Sequence, residues 1–421
     1  MTAAPERQEE IDQRVARFKR SRHARDLWPD LPVATFQAAE AELARVAATV
    51  FGGAPHAVPL QCDLGSRALG IAAFANGVGP LVGYWCEAGR VTAEPEVARV
   101  FAAHLEHGRR RIARLRHELE RVLVALSARG IEAWVLKGMH TAYRYFPEAG
   151  TRGSTDIDLL VPPRDWPAAR DVLARLGLVE RLRPDRPRDS AWEPGQVQPE
   201  RSITFLHADG PWSIDLHRSL ERLPFEGLET TLGAPDQSAG EVWNEYCRPV
   251  RVLAQPFLLA YLALHASSHF YGMMQLRLIE LALVARRDFA GDAARWGAFA
   301  DLVARTGSGR FVHPALDLAE RLLPGTFDRG VLDRIAAATP GRLRRLVRGM
   351  TPASAQRLHP FPSLRERFVW LGSVREMFAA LGWLVWPRED EQPVTPHRAV
   401  AVQWRRVRRA LRRIVLARVG D

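Results

Sequence analysis

Two carboxylates, Asp156 and Asp158, sit two residues apart inside the apolar run Asp156-Ile-Asp-Leu-Leu-Val161. In a β-strand, positions i and i+2 share a face, so both acids point the same way while Ile157, Leu159 and Val161 line the other side. Burial of the apolar face explains the strand. It gives no reason for like charges roughly 7 Å apart along one face. A divalent cation does, because hard cations such as Mg²⁺ take oxygen ligands, usually one or two carboxylates together with substrate phosphates.

A third acid fits the same chemistry. In Ser213-Ile-Asp-Leu-His217, Asp215 occupies the face opposite Ile214 and Leu216 and is the only acid of that stretch. If the two strands are neighbours, three carboxylates form a cluster able to hold two metal ions about 4 Å apart, the arrangement that clamps the attacking and leaving oxygens of an in-line displacement. Groups suited to phosphate stand nearby. Gly138 follows one predicted strand and opens a predicted helix, where backbone can come close to a phosphate. Arg152 and Ser154 lie just before the acids and offer donors to phosphate oxygens. Of 59 Lys+Arg, only two are lysines, Lys19 and Lys137, and Lys137 directly precedes Gly138. A compact ammonium suits a phosphate as a point charge, where arginine brings a wide planar fork.

The elements that position these residues can be read from periodicity. Residues 1 to about 130 have a helical pattern, clearest from Pro95 to Arg129, where Val97, Phe101, Leu105, Ile112, Leu115, Leu119, Val122 and Leu126 recur at helical spacing and Gly130 supplies a stop. The period then changes. Ile131–Leu136 predicts a strand, Met139–Phe146 a short helix ended by Pro147, and Asp156–Val161 a second strand. Trp166–Leu176 predicts an amphipathic helix closed by Gly177. The Pro-, Arg- and Asp-rich residues 181–201 read as a loop. Ser202–His207 and Trp212–His217 read as a hairpin around Ala208-Asp-Gly-Pro211. From about Val242 the chain reads as helical again. Phe257–Arg287 predicts one long apolar helix or two broken near Gly272, and further helices run to Trp386. The fold class is therefore α+β: a small mixed-sheet core over residues 131–240, flanked by an N-terminal helical region over 1–130 and a C-terminal one over 241–390.

Bulk properties bound the function. The formal net charge is +11, and Arg398–Arg418 alone holds eight arginines and no acid. With Val400, Val402, Trp404, Val407, Leu411, Ile414 and Val415 between them, residues 391–421 read as a basic amphipathic tail. Such a tail suits nucleic acid or an anionic surface, and equally a terminal helix docked by its apolar stripe. Cys62, Cys86 and Cys247 are an odd number without metal-ligand spacing, as in a reduced, cytoplasmic protein. The N-terminus shows no secretory h-region. Phe368–Trp386 carries Arg375 and Glu376 near its centre and reads as a buried helix, not a transmembrane segment. His265 and His269 have a zinc-compatible spacing but no third ligand. Gly77-Val-Gly79 has the wrong spacing for a dinucleotide loop.

Taken together, Trp134-Val-Leu-Lys-Gly138, an intervening helix, Arg152-Gly-Ser-Thr-Asp-Ile-Asp158 and the isolated Asp215 resemble the bacterial nucleotidyltransferases of the DNA polymerase β superfamily. In particular they resemble a poorly characterised bacterial group with Leu-Lys-Gly and Asp-x-Asp blocks between helical segments. Pro80-Leu-Val-Gly-Tyr84, Leu264-His265 and Leu276–Ala282 look like that group's flanking helices, so the resemblance extends over roughly residues 75–390. It implies Mg²⁺ or Mn²⁺ and transfer of a nucleoside monophosphate from an NTP, ATP included, to a hydroxyl-bearing acceptor (small molecule, peptide or RNA). It implies Asp156 and Asp158 as the paired metal ligands, Asp215 as the third acid, which helps activate the acceptor, and Gly138 beside the triphosphate. Where the superfamily has Gly-Ser, this chain has Gly138-Met139, so the serine's phosphate contact must come from Lys137 or Ser154, or nucleotide binding is weakened. Two alternatives follow: a toxin-like enzyme that adds nucleotides to tRNA, its tail on the nucleic acid, and a non-catalytic binding protein on the same fold.

Overall fold

A computed structural model describes residues 27–385, apart from residues 29, 182–188, 196–211, 221, 226–227, 231, 233–238, 245, 247–248, 269–272 and 355–367. It also describes residues 13–14, 388–389, 392–393 and 404. The chain is mixed α+β. Between residues 27 and 130 the described helices are α1 (Val33–Phe51), α2 (Ser66–Ala75), α3 (Gly79–Glu87) and the long α4 (Pro95–Ser127). The sheet follows: β1 (Trp134–Val135), α5 (Met139–Tyr145), β2 (Asp156–Leu160), α6 (Trp166–Arg175), β3 (Leu178–Arg181), β4 (Asp189–Pro194), β5 (Ser213–His217), β6 (Gly240–Trp243) and β7 (Val250–Leu253). Then come α7 (Phe257–Ser268), α8 (Gln275–Asp288), α9 (Ala293–Arg305), α10 (Gly309–Leu322), α11 (Arg329–Ala337), α12 (Gly341–Arg348) and α13 (Val374–Val385).

The seven strands form one mixed sheet in the order β6-β7-β1-β2-β5-β4-β3. At its centre β2 pairs in parallel with β5, and Asp158 stands level with Asp215. β1 runs antiparallel to β2 on the other side. Val135, Ile157, Leu159, Ile214, Leu216 and Val252 are completely buried. They pack with Ile112, Leu115, Leu119 and Val122 of α4 and with Val172 and Leu173 of α6. That apolar layer lets the strands turn their polar alternates to the opposite face.

The first half of α4 belongs to a second, larger core. There Val97 and Phe101 join α1, α2 and α3 to α7, α8 and α10 through residues such as Leu69, Ile71, Tyr261, Ile279 and Leu316. The two helical regions, far apart in sequence, therefore share one interior. A polar seam ties them: Leu276 N–H donates to Asn76 O (3.1 Å), and Gln275 Nε2 donates to the Glu40 carbonyl oxygen (2.8 Å). α4 also anchors the loop before β2. A Cβ on Gly108 would collide with the Gly150 carbonyl oxygen, so only glycine permits this approach. Arg111 Nε donates to Ser154 O (2.8 Å), and Arg109 pairs with Glu148 (2.7 Å).

Four expectations are corrected. The segment 181–201 holds strand β4, because Ala191 and Trp192 bury themselves between β3 and β5 despite the polar composition around them. Of the expected hairpin, Ser202–His207 and its turn lie outside the described residues, and β5 pairs with β2 and β4. In place of a helix from Val242, β6 and β7 extend the sheet, since Trp243, Val250, Val252 and Leu253 bury their side chains at its edge. The segment read as a buried helix is α13, which leaves Val374 and Phe378 about two-thirds exposed (64% and 66%). Its Glu376 is held by Arg310 at 2.6 Å. Among the described residues no helix is long and apolar enough to cross a membrane. Of the tail over residues 391–421 only residues 392–393 and Trp404 are described, and Trp404 is helical and exposed.

Candidate functional site

The three aspartates converge. Carboxylate oxygens of Asp156, Asp158 and Asp215 all lie within 4.8 Å of one another. The parallel register of β2 and β5 brings Asp158 and Asp215 side by side, and the two-residue repeat adds Asp156 on the same face. The exposure is graded. Asp158 and Asp215 are buried, while the Asp156 side chain is 33% exposed and opens the cluster to solvent.

Asp158 is gripped from both sides. Lys137 Nζ donates to its Oδ2 at 2.5 Å, and His217 Nε2 lies 3.1 Å from its Oδ1. Burial alone would push the Asp158 carboxyl up, but the Lys137 ammonium and the His217 contact hold it well below the usual carboxylate range. Asp158 is therefore an anion, ready to act as a ligand. On β5, Ser213 Oγ donates to Asp215 Oδ1 at 3.2 Å, which fixes that carboxylate from its own strand.

The phosphate-handling candidates gather around Gly138. Its backbone sits at φ 66°, ψ −91°, a region open to glycine and strained for any other residue. A Cβ there would lie 3.6 Å from Arg152 Nη1 and from Asp156 O, so conformation and not space demands the glycine. Arg152 Nη1 donates to Ser154 Oγ at 2.7 Å. The rest of the guanidinium is engaged by Glu280 of α8: Nε to Oε1 at 2.7 Å and Nη2 to Oε2 at 3.1 Å. Thr141 Oγ1 donates to the same carboxylate. The C-terminal helical region thus reaches directly into the motif. Met139 is fully buried in the apolar layer beneath the sheet. The hydroxyl bonded to Gly138 is that of Thr141, whose Oγ1 donates to the Gly138 carbonyl oxygen at 3.2 Å, while Ser154 Oγ sits on Arg152 Nη1.

Sequence reasoning missed His217, Glu280 and Thr141. His217 was accessible to it, because one more step of the two-residue alternation from Asp215 lands on it. Glu280 was not, because it lies 128 residues from Arg152 and looks like any acid on a helix. Of the possible zinc pair, His269 lies outside the described residues. His140, on α5, is buried with neither ring nitrogen hydrogen-bonded, and burial lowers it to about 3, so it is neutral.

Three carboxylates without imidazole or thiolate are a hard, all-oxygen donor set, which fits Mg²⁺ or Mn²⁺ better than zinc or copper. A mixed sheet presenting such a set beside a glycine turn is an arrangement able to hold a divalent cation next to a phosphate group. Residues 66–324 match the family described as uncharacterised nucleotidyltransferases, and the chain belongs to that family. The match runs from α2 to just past α10, so it includes the sheet, all three aspartates and the helix that carries Glu280. Membership supports a transferase acting on nucleotides. No curated protein and no solved structure matches the chain.

Proposed function

We propose that the protein is a metal-dependent nucleotidyltransferase of the DNA polymerase β type, moving a nucleoside monophosphate from an NTP to a hydroxyl-bearing acceptor. The observation that carries this reading is the convergence of Asp156, Asp158 and Asp215 within 4.8 Å beside a glycine-only turn. The catalytic core is the seven-stranded sheet with α4, α5 and α6.

In this reading Asp156, Asp158 and Asp215 hold Mg²⁺ or Mn²⁺, which would offset charge on the triphosphate and the entering oxygen. Gly138 lets the backbone approach the phosphates, and Lys137, Arg152 and Ser154 supply donors to their oxygens. The acceptor oxygen attacks the α-phosphorus in line, the bond to the bridging oxygen breaks, and pyrophosphate leaves. The acceptor proton passes to Asp215. Lys137 and His217 keep Asp158 ionised and oriented, as partners of a ligating carboxylate do. Glu280 holds Arg152 and Thr141, so the helical regions fix the geometry of the site they enclose.

The test is incubation of wild-type protein and Asp156→Asn with each α-labelled NTP and a cell extract, with identification of what becomes labelled. Wild type should transfer label in the presence of Mg²⁺ or Mn²⁺. Asp156→Asn should lose transfer while keeping its thermal melt, and full activity in that variant would reject the assignment.

A further inference from the structure

The buried ammonium of Lys137 occupies an unusual place. Its Nζ lies 2.5 Å from Asp158 Oδ2 and 3.8 Å from Asp156 Oδ2, with the side chain 5% exposed. These are the two carboxylates whose spacing suits a divalent cation. An ammonium between them takes oxygens that the cation would need, and two cations cannot share them without strong repulsion. Almost every other basic residue of the chain is arginine. A guanidinium is wide and planar, whereas an ammonium is compact and sits on a flexible four-carbon stem. Lys137 also directly precedes Gly138, so its flexible stem is rooted beside the turn.

We propose that Lys137 is a resident counter-cation, holding the metal's place in the nucleotide-free protein and moving onto the triphosphate when metal and nucleotide bind together. The idea rests on the nucleotidyltransferase reading above. Its consequence is a coupling. Metal arriving alone must displace a buried positive charge from the carboxylate oxygens it would take. Metal arriving with a triphosphate gives the ammonium a new partner. Each ligand therefore strengthens the other, and by linkage the two effects are equal.

The scarcity of lysine makes this observable. Protein carrying ¹³Cε,¹⁵Nζ-labelled lysine contains two labelled side chains, and Lys19→Arg leaves Lys137 alone. The Lys137 signal should stay in place with Mg²⁺ alone and move when Mg²⁺ is added together with the α,β-methylene analogue of ATP, CTP, GTP or UTP. Separately, Mn²⁺ binding without nucleotide, followed by electron paramagnetic resonance, should be about tenfold or more tighter in Lys137→Met than in wild type, within the usual range of coupling between sites. Analogue binding in the presence of Mg²⁺ should weaken by a similar factor. Equal Mn²⁺ affinity in the two proteins, or a Lys137 signal displaced by Mg²⁺ alone at the same concentration, would overturn the proposal. If Lys137→Met fails to fold, the labelled-lysine titration still decides the matter. If wild type binds no analogue at all, the NTP reading fails and the triphosphate half of the proposal with it. The Mn²⁺ comparison then rules separately on whether the ammonium holds the metal's place.

Discussion

Glu280 offers a sharp test of how the helical regions and the motif depend on each other. Its carboxylate accepts from Arg152 Nε at 2.7 Å, from Arg152 Nη2 at 3.1 Å and from Thr141 Oγ1. The two charged side chains are 4% and 9% exposed. Glu280→Met leaves the guanidinium charged and desolvated, with the Ser154 hydroxyl still accepting from one nitrogen. Breaking a buried pair from one side in this way costs about 3–5 kcal/mol. Replacing both partners should be far milder, because apolar substitution of a whole buried pair is often neutral. Thr141 keeps an acceptor in Gly138 O at 3.2 Å, so the double variant strands no hydroxyl there. The assay is a double-mutant cycle of Arg152→Met and Glu280→Met by urea denaturation, with hydrogen exchange read over residues 149–155. The coupling should be on the order of 2–3 kcal/mol, and exchange in that loop should quicken in each single variant and recover in the double. A Glu280→Met protein as stable as wild type, or a double variant worse than both singles, would refute the reasoning.

Gly138→Ala should lose about 1–3 kcal/mol of stability from the positive-φ turn, seen as a lowered melting temperature, and should weaken nucleotide-analogue binding further. Asp215→Asn should leave the fold intact, since Ser213 can still bond its side chain, while calorimetry with Mn²⁺ and an NTP analogue shows metal binding much reduced. Burial pushes the Glu40 carboxyl from 4.5 up to about 8, although Asn76 Nδ2 donates to it at 2.9 Å. The folded protein therefore keeps a proton there that the unfolded chain releases. The associated stability is full below about pH 4.5, falls as pH rises and is lost by about pH 8. At about 1.4 kcal/mol per pH unit across that window, Glu40→Gln should be more stable than wild type by on the order of 5 kcal/mol above pH 8. The difference should vanish near pH 4, and a pH-independent difference in urea midpoints would contradict it.

What the sequence made legible follows from the range of the signals it carries. Asp156 and Asp158 declare a shared face through period-two alternation alone. Gly177 and Gly130 announce their helix ends, and both adopt positive φ. The break between α7 and α8 was readable from glycine in an apolar run. Strand β4 was not, because its pattern is six residues long and lies among prolines, arginines and aspartates that signal a loop. Strands β6 and β7 were likewise hidden, being short apolar pieces next to a long helical stretch. Alternation places His217 on the face of Asp215, but the grip on Asp158 was hidden, since Lys137 reaches that carboxylate from the turn after β1 and His217 from β5, and chain-local patterns say nothing of such meetings.

The pairing of Asp158 with Asp215 across one parallel ladder also sets which length changes the chain can absorb. A residue inserted inside β5 ahead of Asp215 would turn that carboxylate to the apolar side and bring Ile214 or Leu216 toward the acids. Residues added between β2 and β5 would leave the level of the two acids untouched, because backbone hydrogen bonds set it, whatever the intervening contour. The chain between the two strands can therefore change in length while the ladder keeps Asp158 and Asp215 side by side.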